Sequence, residues 1–155
     1  ATSLTRCASA LRCWSLATDR WGIPVGWVTA AANTNDCTLV DATLDAVDES
    51  GLVVEIDTLH LDKGYDSNAV RATVAGRGIE DAVIARRRKR GEPKPEGPLR
   101  LGMRWSVERT NSWISDYGQM RRNTDRVDPH RAAQLAVAIA IIITIKLAKW
   151  SDRWN

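Results

Sequence analysis

"VVEIDTLHLDKGYDSNAVRATVAGRGIEDAVIA", residues 53–85, holds two short apolar stretches on either side of a helix-forming one. Val53 to Leu61 alternates apolar and polar residues, the period of a strand with one buried face. Ser67 is a capping residue at the head of "SNAVRATVAGRG", and two late glycines close that helical pattern. Ile79 to Ala85 reads as a second short strand. Strand-helix-strand connections normally make parallel neighbours, so this stretch predicts α/β layers with a mixed sheet rather than a helical bundle.

The flanking sequence extends the pattern. Leu16 to Asp19 leads through Arg20-Trp21-Gly22 into Ile23 to Ala30, two strands joined by a glycine-bearing turn. Asn33, Asn35 and Asp36 supply helix caps, after which Leu39, Leu44 and Val47 recur at near-helical spacing until Gly51. Downstream, Arg86 to Arg100 mixes basic residues with Gly91, Pro93, Pro95, Gly97 and Pro98, a composition that suits a loop. Arg104 to Arg122 reads as a helix, and Pro129 or His130 starts a last apolar helix ending near Trp150. "SDRWN", residues 151–155, is expected to fray.

A chain of 155 residues is long enough for one domain that buries roughly 70% of its unfolded surface. The formal net charge is only +3, but Arg86-Arg87-Arg88-Lys89-Arg90 concentrates positive charge in one place. Cys7, Cys13 and Cys37 carry no metal-type spacing with each other or with His60 and His130, which argues against a zinc site or disulfide framework and suits a reducing cytoplasm. "AAQLAVAIAIIITIKLA" is interrupted by Gln134 and Lys146 and falls short of the roughly 20 apolar residues of a bilayer span, so it reads as a buried helix with no membrane role. No G-x-S-x-G or phosphate-loop pattern occurs. The opening 15 residues fit no strand or secretory pattern, and the chain reads as one whose natural beginning is missing.

Two carboxylates stand out. Asp62 ends the apolar strand, where an ordinary turn-former would also serve. At 100° per residue, Val107, Ile114, Tyr117 and Gly118 fall on one flank of the 104–122 helix, and Arg104, Glu108, Asn111, Ser115 and Arg122 on an adjacent polar stripe. Glu108 thus has an arginine one turn before it, an arrangement that also suits a plain solvated ion pair.

The segments "LATDRWGIPVGWVTAAANTND", "HLDKGYDSNAVRATVAGRGI" and "RWSVERTNSWISDYGQMRRNTDR" resemble, in the same order, those of insertion-sequence transposases with a ribonuclease-H-like DDE catalytic domain. The resemblance runs from about Leu16 to Lys149, within a domain spanning 16–150. It implies a mixed sheet flanked by helices, incomplete here because no first strand with its aspartate is legible before the hairpin. It implies Asp62 and Glu108 as catalytic metal ligands, Arg104 as the motif arginine before the glutamate, and Mg²⁺ or Mn²⁺ as cofactor. Asp19 matches a hairpin-turn aspartate of that pattern rather than a ligand. The motif tyrosine and lysine of some members are replaced by Leu101 and Ser115.

The activity implied by the resemblance is metal-dependent DNA cleavage and strand transfer, with little of it expected from a chain that lacks the first aspartate. Double-stranded DNA, as transposon ends and target, is the implied partner; a homodimer on DNA and a bacterial, nucleoid-associated cytoplasmic location are compatible with it. Arg86, Arg87, Arg88, Lys89 and Arg90, with Arg104, Arg109, Arg121 and Arg122, are the candidates to hold phosphates. Trp105 and Trp113 suit stacking on an unpaired base, although tryptophans at helical positions more commonly enter a core. Another two-metal nuclease of the same fold and a non-catalytic DNA-binding remnant stay open as alternatives.

Overall fold

The computed structural model of the chain describes residues 2–9, 12–31, 33–84, 91, 104–118, 120 and 127–152. Its strands are β1 (Thr2–Ser9), β2 (Arg12–Thr18), β3 (Pro24–Ala30), β4 (Thr58–Leu61) and β5 (Asp81–Ile84). Its helices are α1 (Asp36–Asp48), α2 (Asn68–Gly76), α3 (Arg104–Asp116) and α4 (Asp128–Ser151). The strands form one sheet in the order β3-β2-β1-β4-β5. β1, β2 and β3 pair antiparallel, while β4 runs parallel to both β1 and β5. This is the mixed α/β architecture that the 53–85 stretch predicts.

Alternation along β2 sorts the layers. Ser15 and Ala17 face α1: the Thr43 hydroxyl donates to Ser15 Oγ at 2.8 Å, and Ala17 joins the core made with Val40, Leu44, Val70 and Val74. Trp14 and Leu16 face the other way, into a second core with Ile114 of α3 and Leu135, Ala138, Ile139 and Ile142 of α4. β4 alternates in the same sense, with Leu59 and Leu61 in the first core. His60 and Asp62 therefore fall on the α3 side of the sheet, since successive residues of a strand point to opposite faces. Each fully buried leucine or isoleucine contributes about 1.5–3 kcal/mol relative to exposure.

Local chemistry fixes the connections. In the hairpin turn, Asp19 Oδ1 accepts from the backbone N–H groups of Trp21 and Ile23 at 2.9 and 2.7 Å, and Gly22 adopts φ +81°. This is the turn role expected of Asp19. Asn35 caps α1 and Ser67 caps α2, as expected from their side-chain acceptors. Gly26 on β3 lies so close to α1 that a Cβ there would come within 2.8 Å of Val47 N. Arg77, just past α2, bonds to Asp41 and to Asp45 of α1, the latter at 2.7 Å. Burial pulls its pKa down, but the bonds to Asp45 and Asp41 and their charges outweigh this and raise it.

Four expectations need correction. The first residues do form a strand: β1 pairs with β2 on one side and β4 on the other, so it is held by partners on both edges rather than by an apolar pattern of its own. β2 correspondingly begins at Arg12, ahead of Leu16. The strand expected over 53–61 is ordered as a strand only from Thr58, where its pairing with β5 begins opposite Asp81; Val53–Glu55 is a 3-10 turn. Finally, α4 is not a wholly buried helix: Leu135, Ala138, Ile139 and Ile142 are buried, while Val137, Ile141, Ile145 and Leu147 are exposed. Its 24 residues are long and apolar enough to cross a membrane by length and composition, although its buried stripe is packed into the second core. The basic run Arg86 to Arg90, the rest of the loop to Arg100 except Gly91, Arg121, Arg122 and most of the tail lie outside the described residues.

Candidate functional site

α3 is seated on the sheet by polar bonds at its N-terminal half. The Thr110 hydroxyl donates to Gly22 O at 2.6 Å and the Trp14 indole N–H to Asn111 Oδ1 at 3.1 Å. Ser106 and Thr18 hydroxyls lie 3.5 Å apart. Ser106, Val107, Thr110, Asn111 and Ile114 are buried, so the stripe centred on them faces the sheet. Arg109 and Trp113 fall on the flank toward the hairpin turn and α4, where Arg109 Nη2 donates to Trp21 O at 2.8 Å and Lys146 lies over the Trp113 ring. By helical angle, Glu108 falls on the opposite flank, turned toward β4.

Strand register then sets the height of Glu108. Thr18, opposite Ser3, meets Ser106, and Trp14, opposite Cys7, meets Asn111. By interpolation between those contacts, Glu108 falls near the level of the Leu16–Thr5 pair. The β1–β4 register places Leu4 beside Leu61, so its next step brings Asp62 level with Thr5. Asp62 and Glu108 thus share one side of the sheet and one level along the strands.

Asp62 is half-buried at the carboxyl end of β4 and caps the following 3-10 turn, accepting from Lys63 N–H at 2.7 Å. Glu108 is exposed. Both carry hard oxygen donors suited to a divalent cation, and Mg²⁺ is commonly held by only one or two carboxylates with substrate phosphates completing its shell. The donor set is nonetheless small: among the described residues no three His, Cys, Asp or Glu side chains gather, and β1 carries no carboxylate anywhere between Thr2 and Ser9.

Of the arginines singled out in the sequence, Arg109 is described in full and lies on the flank away from Glu108; Arg104 lies in the first turn of α3. Trp105 is exposed rather than in the core, and Trp113 is half-buried. Arg20, Lys146, Lys149 and Trp150 were not legible as companions of these tryptophans. A usable signal was the spacing of Trp105, Arg109 and Trp113, four residues apart and so on one stripe.

A family model for the transposase DDE domain matches residues 15–145. A protein of Burkholderia cepacia named "Putative transposase for insertion sequence element IS402" is 33% identical over 124 residues, covering 76% of this chain. The chain spans 56% of that relative's length. With most of its length matched, including both carboxylate segments, the chain belongs to the transposase DDE domain family.

Proposed function

We propose that the chain is a ribonuclease-H-like catalytic region of a DNA transposase, in which Asp62 and Glu108 hold a divalent cation, Mg²⁺ or Mn²⁺, for DNA phosphoryl transfer. The observation that carries this reading is that the end of β4 and the outward flank of α3 bring both carboxylates to one side and one level of the sheet. The strand order, with three antiparallel strands followed by two parallel ones, supports the fold assignment. A bound cation supplies charge that stabilises the attacking and leaving oxygens of an in-line transfer. Asp62 is held by its bond to Lys63 N–H at a strand end, and Glu108 by a helix anchored through Thr110 and Asn111, so both side chains project from rigid supports.

The natural partner in this reading is double-stranded DNA in a bacterial cytoplasm, with Arg86 to Arg90, Arg104, Arg109, Arg121 and Arg122 neutralising phosphates and a homodimer assembling on the DNA. With two ligand carboxylates and none in β1, the chain on its own has little or no cleavage activity. That same lack favours a second reading, a DNA-binding remnant without chemistry. A plasmid-nicking assay in Mg²⁺ or Mn²⁺, run beside a DNA mobility shift, tests the proposal. Expected are a salt-sensitive shift and nicking near background. Strong nicking that survives Glu108→Gln would overturn the role given to Glu108.

A further inference from the structure

Along the flank of α3 centred on Arg109, tryptophans and cations interleave. The Arg109 guanidinium carbon lies 4.5 Å from the Trp105 ring centre and 5.0 Å from that of Trp113. Lys146 Nζ of α4 lies 4.0 Å over Trp113. Arg20 lies 3.9 Å over Trp21, whose ring meets that of Trp150 edge-on at 5.3 Å. Four such cation–π pairs occur here on one connected surface joining the hairpin turn, α3 and α4. Packing alone would bury the rings, yet Trp21 is 45% and Trp105 54% exposed.

Beside Trp113 a groove of about 340 Å³ opens between α3 and α4, walled by Asp116, Tyr117, Ile142, Lys146 and Lys149. That volume lies in the range of small-ligand sites. Trp113 provides a ring beside the groove, the two lysines provide charge for phosphate, and Asp116 provides an acceptor for the exocyclic amine of a base such as cytosine. Aromatic rings interleaved with cations are the physical basis of single-strand binding, because every base has a stacking face and every nucleotide a charge.

We infer that this surface holds an unpaired DNA strand, with one base seated in the groove beside Trp113 and the backbone following Lys149, Lys146, Arg109 and Arg20. The inference rests on the DNA reading above and names a form of DNA that the carboxylate site does not specify. Fluorescence anisotropy on the full chain tests it with a labelled single strand of about 12 nucleotides, an abasic strand of the same length, and a duplex. The base-bearing strand is expected to bind about tenfold more tightly than the abasic one, the size of one stacked base. Trp113→Leu should remove that difference, while Lys149→Gln, at an exposed position, should weaken both strands alike. Glu49→Gln, exposed at the end of α1 on the other face of the sheet, should change neither. Equal binding of base-bearing and abasic strands, or an unchanged preference in Trp113→Leu, overturns this surface while leaving duplex binding intact. Failure to bind any of the three removes the DNA reading as well.

Discussion

Replacing Asn111 by leucine removes the acceptor that anchors the middle of α3. The Trp14 indole N–H, on a side chain 3% exposed, would keep its place without the 3.1 Å bond it now donates. Leaving a buried donor unpaired costs about 1–3 kcal/mol, and the leucine side chain keeps most of the volume, so a loss of about 2 kcal/mol is expected. In a domain of this size that lowers Tm by about 4–8 °C. Urea and thermal unfolding followed by circular dichroism measure it. The double variant Trp14→Phe with Asn111→Leu should be less destabilised than the sum of the single changes by about 1–2 kcal/mol, because no orphaned donor remains. A single variant within about 0.5 kcal/mol of the parent, or strict additivity in the double, would refute the claim that this bond seats α3 and the glutamate it carries.

Gly26→Ala should destabilise by about 1–3 kcal/mol, since its Cβ would meet the α1 backbone at Val47 and only a shift of the helix relieves it; unchanged denaturant unfolding would contradict that close approach. Asp19→Ala removes the acceptor of two turn N–H groups and should cost about 1 kcal/mol, as loss of a helix cap does. Its Mn²⁺ affinity should match the wild type, and a weaker one would make Asp19 a ligand. Thr5→Asp adds a carboxylate at the β1 position level with Asp62 and should tighten Mn²⁺ binding about tenfold, an increment of about 1.4 kcal/mol by calorimetry; no gain would place the cation elsewhere.

Where residues carry local chemistry, the sequence was readable. Asn35 and Ser67 are caps in the structure because their side chains accept backbone N–H groups within their own turns, and Asp19 closes its hairpin in the same way. β1 was illegible for the opposite reason: Thr2-Ser3-Leu4-Thr5-Arg6-Cys7 has no strand pattern, and pairing on both edges comes from residues distant in sequence. The lone strand expected over 53–61 failed at its start, where the alternation continues but the pairing with β5 does not. Asp62 and Glu108 were singled out by motif, whereas the level at which α3 sets Glu108 depends on the contacts of Ser106 and Asn111 with β2, which no local pattern announces. The aromatic surface was half visible: the four-residue spacing of Trp105, Arg109 and Trp113 lies in one helix, but Lys146 and Trp150 come from another and Arg20 and Trp21 from a turn.

Whether Asp62 and Glu108 share a cation is tested most directly by a Mn²⁺ titration followed by electron paramagnetic resonance on the folded chain. Asp62→Asn and Glu108→Gln should each weaken the bound signal by about tenfold, near 1.4 kcal/mol. The double variant should bind more weakly than either, because each change removes one of two ligands of the same cation. Glu108→Gln binding Mn²⁺ as tightly as the wild type, or a double variant that binds no more weakly than Asp62→Asn alone, would contradict a shared cation.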